Sequence, residues 1–236
     1  TNRLVGSEMC IRDRLKSVKT TAKFLNMNYK SISIEGNIGV GKTTLAKLLS
    51  NDLGYKLILE TFENNPFLKD FYENLNKNAL PLELFFLAER YELLKLNSED
   101  MFFSGTVSDF IFDKSKLFAV NTLKDYELNI FNKIFSLMKK SVKNPEILIY
   151  LHSDLSSLQN KITKRGREYE NNIQSEYLKK LNYTYLDYIS KRTEFPVILI
   201  DVTNLDFKNN SKHFELIKNI IFQDHENGVT KFIPSI

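Results

Sequence analysis

Tryptophan is absent from this 236-residue chain, and cysteine occurs once, at position 10. A lone thiol closes no disulfide and holds no thiolate metal site, so the expectation is a protein of a reducing, cytoplasmic compartment. Three histidines, His152, His213 and His225, stand too far apart in sequence to suggest a metal cluster and read as surface or structural residues. No stretch approaches the ~20 apolar residues of a membrane span, which excludes a membrane partner from the expected reading. An excess of one charge is also missing from most of the chain. Of 33 Lys/Arg and 29 Asp/Glu, residues 1–26 hold six basic side chains against Glu8 and Asp13, leaving 27 of each sign elsewhere. A neutral body lacks the broad basic footprint of a nucleic-acid binder.

Residues 1–26 stand apart for a second reason. Val5-Gly6-Ser7-Glu8-Met9-Cys10-Ile11-Arg12-Asp13-Arg14 resembles a translated sequencing adaptor. The segment lacks the apolar core of a secretory signal; a mitochondrial-type presequence, which its basic character would suit, is the weaker rival. It is set aside from the fold as a non-native extension, and residues 27–236 are expected to form a single domain starting at Met27.

Glycine is scarce too, with eight residues, yet three of them fall at positions 36, 39 and 41. The run Gly36-Asn37-Ile38-Gly39-Val40-Gly41-Lys42-Thr43-Thr44 completes G-x-x-x-x-G-K-[ST] between an alternating strand pattern and a helical one. In that context the backbone N–H groups close around phosphate oxygens, Lys42 reaches the terminal phosphates and Thr43 can ligate Mg²⁺, which points to ATP as a ligand. Five short apolar runs, 31–35, 56–60, 105–108, 146–151 and 196–201, alternate with helical patterns over 42–53, 67–75, 81–97, 121–140, 154–165, 172–191 and 211–222. Alternation of this kind predicts a P-loop NTPase-type doubly wound α/β sandwich with a five-stranded parallel sheet, its ligands at the carboxyl ends of the strands.

Two acids belong to that crevice. Glu60 ends the second strand pattern and Asp109 follows the third, so one carboxylate can orient or deprotonate an attacking hydroxyl while the other holds Mg²⁺. Farther on, Lys161, Lys164, Arg165 and Arg167 gather at the end of a helical pattern that Gly166 breaks, the composition of an Arg-rich lid.

At this point the sequence resembles the deoxynucleoside kinases, and the bacterial deoxyguanosine kinases in particular. The likeness rests on Glu60-Thr61-Phe62-Glu63-Asn64-Asn65-Pro66-Phe67-Leu68, Leu82-Glu83-Leu84-Phe85-Phe86-Leu87-Ala88-Glu89-Arg90-Tyr91, Ser108-Asp109-Phe110 with Lys114 and Phe118-Ala119, and Lys164-Arg165-Gly166-Arg167. It implies that Glu60 is the general base, that Tyr72 contacts the deoxyribose and that Glu83 and Arg90 read the base. It further implies that Phe118 stacks on the base, Glu170 accepts from the sugar 3′-hydroxyl, Arg165 and Arg167 close over ATP, and Asp206-Phe207 holds adenine. A homodimer formed through a helical face is implied as well. Phe110 departs from the Arg that many relatives carry after the acid, and Lys114 is assigned in its stead to the substrate 5′ or phosphate side. Glu83 departs from a common Gln.

Glu83 and Arg90 are seven residues apart, two helical turns or about 10 Å, and share a face from which to approach a base from two sides. The implied activity is ATP- and Mg²⁺-dependent phosphorylation of a deoxynucleoside, most simply deoxyguanosine. A nucleoside monophosphate kinase and a noncatalytic structural subunit of the same fold are the alternatives. A chain beginning at Met27 is expected to fold and to keep its activity; loss of either in the shortened protein would overturn the reading of residues 1–26.

Overall fold

The computed structural model describes residues 29–62, 65–73, 77–97, 102–167, 170 and 173–234, the side chains of residues 72 and 73 excepted. The expected extension 1–26 therefore lies outside the described residues. In chain order the elements are β1 (Ser31–Gly36), α1 (Lys42–Leu53), β2 (Lys56–Ile58), α2 (Leu68–Glu73), α3 (Ala79–Leu96), β3 (Thr106–Ser108), α4 (Lys114–Thr122), α5 (Asp125–Lys139), β4 (Ile147–His152), α6 (Leu155–Arg165), α7 (Ser175–Ser190), β5 (Pro196–Asp201), α8 (Ser211–Ile221) and β6 (Gly228–Phe232).

The sheet runs β2-β3-β1-β4-β5-β6 and every pairing in it is parallel. Strand β4 shows why. Ile147, Ile149 and Leu151 face one way onto Leu45 and Leu49 of α1 and Ile217 and Ile221 of α8. Leu148 and Tyr150 face the other way onto Leu181, Tyr185 and Ile189 of α7. A strand apolar on both faces needs helices on both, which only crossover connections supply. Beyond α4 a third apolar group, built on Leu87, Phe112, Phe131 and Phe135, joins α3 and α5 to the body.

Among the described residues the sheet has six strands rather than the expected five. β6 was missed because it is an edge strand whose residues alternate between partial and full exposure, with Lys231 among the exposed ones. Its pattern is polar enough to read as a loop. The expected helix over 121–140 is two elements. Leu123 takes an extended conformation (φ −92°, ψ 146°) that ends α4, and the Lys124 N–H donates to Glu127 Oε2 at 3.1 Å, opening α5 afresh. β2 stops at Ile58, so Glu60 lies two residues past the strand while staying at its carboxyl end. Gly54 closes α1 in the left-handed region (φ 65°), and Asn65 Oδ1 accepts from Phe67 N at 3.0 Å just before α2.

β1 lies between β3 and β4, where chain connections diverge to opposite sides of the sheet. A crevice opens at such a switch point, and the loops after β1, β2 and β3 all reach it.

Candidate active site

The loop after β1 keeps its shape because two of its glycines admit no side chain. Gly39 has φ 83°, and a Cβ there would stand 2.7 Å from Ile162 Cγ1 of α6; Gly41 has φ 111°, and a Cβ would stand 2.8 Å from Phe207 Cζ. Asn37 pins the loop from the other side, donating from Nδ2 to Leu178 O of α7 at 2.8 Å while its Oδ1 accepts from Ile38 N at 2.8 Å. The loop delivers the chain into the N-terminus of α1, whose first N–H groups have no intrahelical acceptor and offer positive potential to a phosphate. Lys42 Nζ curls back onto the loop carbonyls of Gly36 and Asn37 at 2.9 and 3.0 Å. Burial foremost, with Lys114 adding repulsion, lowers its pKa to about 8 against the pull of Glu35, Asp109 and Glu60.

Asp109, 5% exposed, joins three strand ends. Its Oδ2 accepts from the Thr43 hydroxyl at 2.5 Å and its Oδ1 from Glu60 N at 2.9 Å. A hydroxyl and a carboxylate side by side at the mouth of the phosphate loop are the hard oxygen donors that Mg²⁺ takes together with substrate phosphates. Among the described residues no group of three or more His, Cys, Asp or Glu is placed to hold a metal ion.

Glu60 is held between two cations. Arg90 Nε donates to its Oε1 at 2.6 Å with Nη2 on the same oxygen at 2.5 Å, and Lys114 Nζ donates to Oε2. Burial pushes the carboxyl pKa up, but the Arg90 guanidinium and the Lys114 ammonium outweigh it and hold the value at about 2. Arg90 Nη1 also donates to Ser115 Oγ at 2.8 Å, and its guanidinium carbon stands 5.1 Å from the Phe86 ring centre. The resemblance put Arg90 at the base and Lys114 at the 5′ side; the geometry puts both on Glu60. Phe110 is fully buried core, which is why no cation follows Asp109.

Two helical turns before Arg90, Glu83 is 1% exposed and lines the same cleft. Its Oε1 accepts from the Thr122 hydroxyl at 2.9 Å, while its Oε2 is buried and has no hydrogen-bond partner. Burial raises its pKa to about 7, with Arg90 and the Thr122 bond pulling the other way. Phe118 lines the cleft beside it, edge-on to Tyr185 at 6.4 Å and 5.6 Å from Lys114 Nζ. The Tyr72 side chain lies outside the described residues.

At the opposite wall α6 ends in Gly166 (φ 70°), as expected of a break between Arg165 and Arg167. Both arginines converge on Glu170, which is 5% exposed: Arg165 Nε reaches Oε2 at 3.0 Å with Nη2 on the same oxygen, and Arg167 Nη1 reaches Oε1 at 3.3 Å. Arg167 also lies 4.0 Å over the Phe62 ring. Beyond β5, Asp206 N donates to His213 Nδ1 at 2.9 Å, and the Phe207 side chain is buried in the main core under Gly41. Asp206 is exposed, and its Oδ1 accepts from Asn209 N at 3.1 Å. Together the phosphate loop, Glu60, Glu83 and the lid line one cleft, of about 110 Å³.

Sequence reasoning passed over Glu35. It is fully buried, and its carboxylate accepts from Ile111 N at 3.0 Å, the Tyr185 hydroxyl at 2.9 Å and Gly36 N at 3.2 Å, fastening the phosphate loop to the β3–α4 connection and to α7. Burial raises its pKa despite Lys114 and Lys42 nearby. Glu35 shares the alternating face of Ser31 and Ser33, so it read as an ordinary polar position of the strand. Ser115 and Thr122 escaped notice because α4 itself did.

The comparisons bear on this cleft directly. The deoxynucleoside kinase family profile matches residues 32–225. Deoxyguanosine kinase of Bacillus subtilis is 36% identical over 192 residues, 79% of this chain and 93% of that protein. The deoxyadenosine/deoxycytidine kinase of the same organism is 31% identical over 205 residues, 83% of this chain and 94% of its own length. Among solved structures, deoxyadenosine kinase from M. mycoides with bound dATP superposes with a TM-score of 0.70 at 25% identity, covering 81% of this chain and 98% of that one. Because the profile match spans every residue of the cleft, from the loop after β1 to the segment after β5, the chain belongs to the deoxynucleoside kinase family.

Proposed function

We propose that the protein transfers the γ-phosphoryl group of ATP, with Mg²⁺, to the 5′-hydroxyl of deoxyguanosine. Membership of the family supports a phosphotransferase that takes a nucleotide donor and a nucleoside acceptor. The observation that carries the choice of base is the unpartnered Oε2 of buried Glu83. Guanine presents two adjacent donors, N1–H and the 2-amino group, and an ionised carboxylate accepts both. Adenine and cytosine place an acceptor where guanine has N1–H and would face that carboxylate unpaired. The B. subtilis deoxyguanosine kinase is in keeping with this choice, although the deoxyadenosine/deoxycytidine kinase of similar coverage shows that the family accommodates other bases.

In this reading Glu60 receives the 5′-hydroxyl proton. A carboxylate held at about 2 is a weak base. It orients the hydroxyl in the ground state and takes the proton late, once bonding to phosphorus has made the oxygen acidic, as a loose transition state allows. Arg90 and Lys114 keep Glu60 ionised and aimed. Thr43 and Asp109 would hold Mg²⁺, which supplies charge neutralisation on the phosphates. Lys42 leaves its loop carbonyls for the phosphates. Arg165 and Arg167 exchange Glu170 for the γ-phosphoryl group, which frees that acid to accept from the sugar 3′-hydroxyl, while Phe118 flanks the base.

Assembly enters the same proposal. Along the outer face of α5, Tyr126, Ile130, Ile134 and Leu137 are exposed at helical spacing while Phe131 and Phe135 on its inner face are buried. A helix apolar on both sides suits a second copy of the chain, giving a homodimer.

With the four deoxynucleosides and ATP, deoxyguanosine should be preferred near pH 8 by about 10² in kcat/KM over deoxyadenosine and deoxycytidine, and Glu83→Gln should narrow or invert that ranking. A parent that prefers deoxyadenosine at that pH would remove the choice of base. Glu60→Gln should lower kcat by about 10² to 10⁴ with the KM for ATP nearly unchanged; a loss below about threefold would take the base role from Glu60. Placing Asp at both Ile130 and Leu137 should halve the mass measured by sedimentation, and an unchanged mass would exclude the α5 face.

A further inference from the structure

Resting on the assignment of Glu83 to the base, we propose that this residue gives the enzyme a second activity: in its protonated form it admits adenine and cytosine deoxynucleosides, so that pH sets the base that is phosphorylated. A neutral carboxylic acid carries one donor and one acceptor, the same pair that a carboxamide offers. The matching edge of adenine has an acceptor at N1 and a donor at N6, and that of cytosine has an acceptor at N3 and a donor at N4. An ionised Glu83 is complementary to guanine and a protonated one to the other two.

The surroundings are built for both states. Thr122 Oγ1 stands 2.9 Å from Glu83 Oε1 and 3.0 Å from the Phe118 carbonyl oxygen. Its single proton has two acceptors to choose between. With Glu83 ionised the hydroxyl donates to the carboxylate; with Glu83 protonated it continues to donate to Oε1 or turns to Phe118 O, leaving for the base the acid proton on Oε2. That oxygen is the one without a partner, and Glu83 lines the cleft. Neither state strands a buried group at Thr122.

The charged groups around Glu83 hold steady or act alike on every nucleoside. Glu60 past β2, clamped by Arg90 of the same helix as Glu83 and by Lys114 of α4, is ionised throughout the neutral range. Across the cleft Glu170 is paired with Arg165 and Arg167. Lys42, at about 8, titrates near the working range, but it serves the donor phosphates and affects both nucleosides equally. Burial places the Glu83 transition at about 7, so both forms are populated near neutrality.

The test follows from proportion. The ratio of ionised to protonated Glu83 changes about tenfold per pH unit wherever its pKa lies, and competition between two substrates in one tube cancels every pH effect common to both. The full chain is given equimolar deoxyguanosine and deoxyadenosine with ATP and Mg²⁺ between pH 6 and 9, and the ratio of the two monophosphates is read at low conversion. It should rise about tenfold per unit, on the order of a thousandfold overall, and be flat in Glu83→Gln. A change below tenfold across the range, or a slope retained in Glu83→Gln, overturns the proposal. A pH-independent preference for deoxyguanosine would leave the reading of the base site standing while this inference falls. Phosphorylation of neither nucleoside would remove both.

Discussion

Asp109 is the joint on which the cleft depends. One carboxylate takes the hydroxyl of Thr43 from the phosphate loop and the backbone N–H of Glu60 from the end of β2, while its own backbone continues β3. Three segments that are far apart in the chain are thereby fixed to within a hydrogen bond of each other. Without that joint, the donor end of the site and the acid at the acceptor end would be positioned independently. Phosphoryl transfer leaves a protein little to do besides hold its reactants in line, so this constraint is also the functional one.

The rest of the cleft is an arrangement of charges removed from water. Glu35, Lys42, Glu60, Glu83, Arg90 and Lys114 are all buried or nearly so, and each is kept tolerable in a different way. Glu60 is ionised because two cations touch it. Glu35 is surrounded by donors. Glu83 alone has a buried oxygen without a hydrogen-bond partner, and burial raises its affinity for a proton. Unsatisfied polar groups are scarce in folded proteins because they are destabilising, and one on a residue that lines the cleft marks a candidate for ligand recognition.

Much of this was legible from residue order alone. Gly36, Gly39 and Gly41 announce the phosphate loop because few backbones other than glycine reach their conformations, and Glu60, Asp109, Arg165 and Arg167 stand near chain breaks or strand ends that periodicity marks. Illegible features share a cause. α4 begins at a lysine that points inward, contrary to the rule that lysines mark surfaces, and β6 carries an exposed lysine on a strand that pairs on one side only. The clamp of Arg90 and Lys114 on Glu60 joins three elements across 54 residues of sequence, and no local pattern encodes such a contact.

The two ends of the sheet carry a last consequence. β2 is three residues long and β6 five, and Lys56 and Lys231 stand on these outer strands. Short, lysine-bearing borders make poor templates for an additional strand, so sheets of neighbouring molecules have little means of fusing into a continuous ribbon. Self-association is thereby steered away from backbone zippering, which is indiscriminate, toward side-chain surfaces, where shape decides which molecules meet.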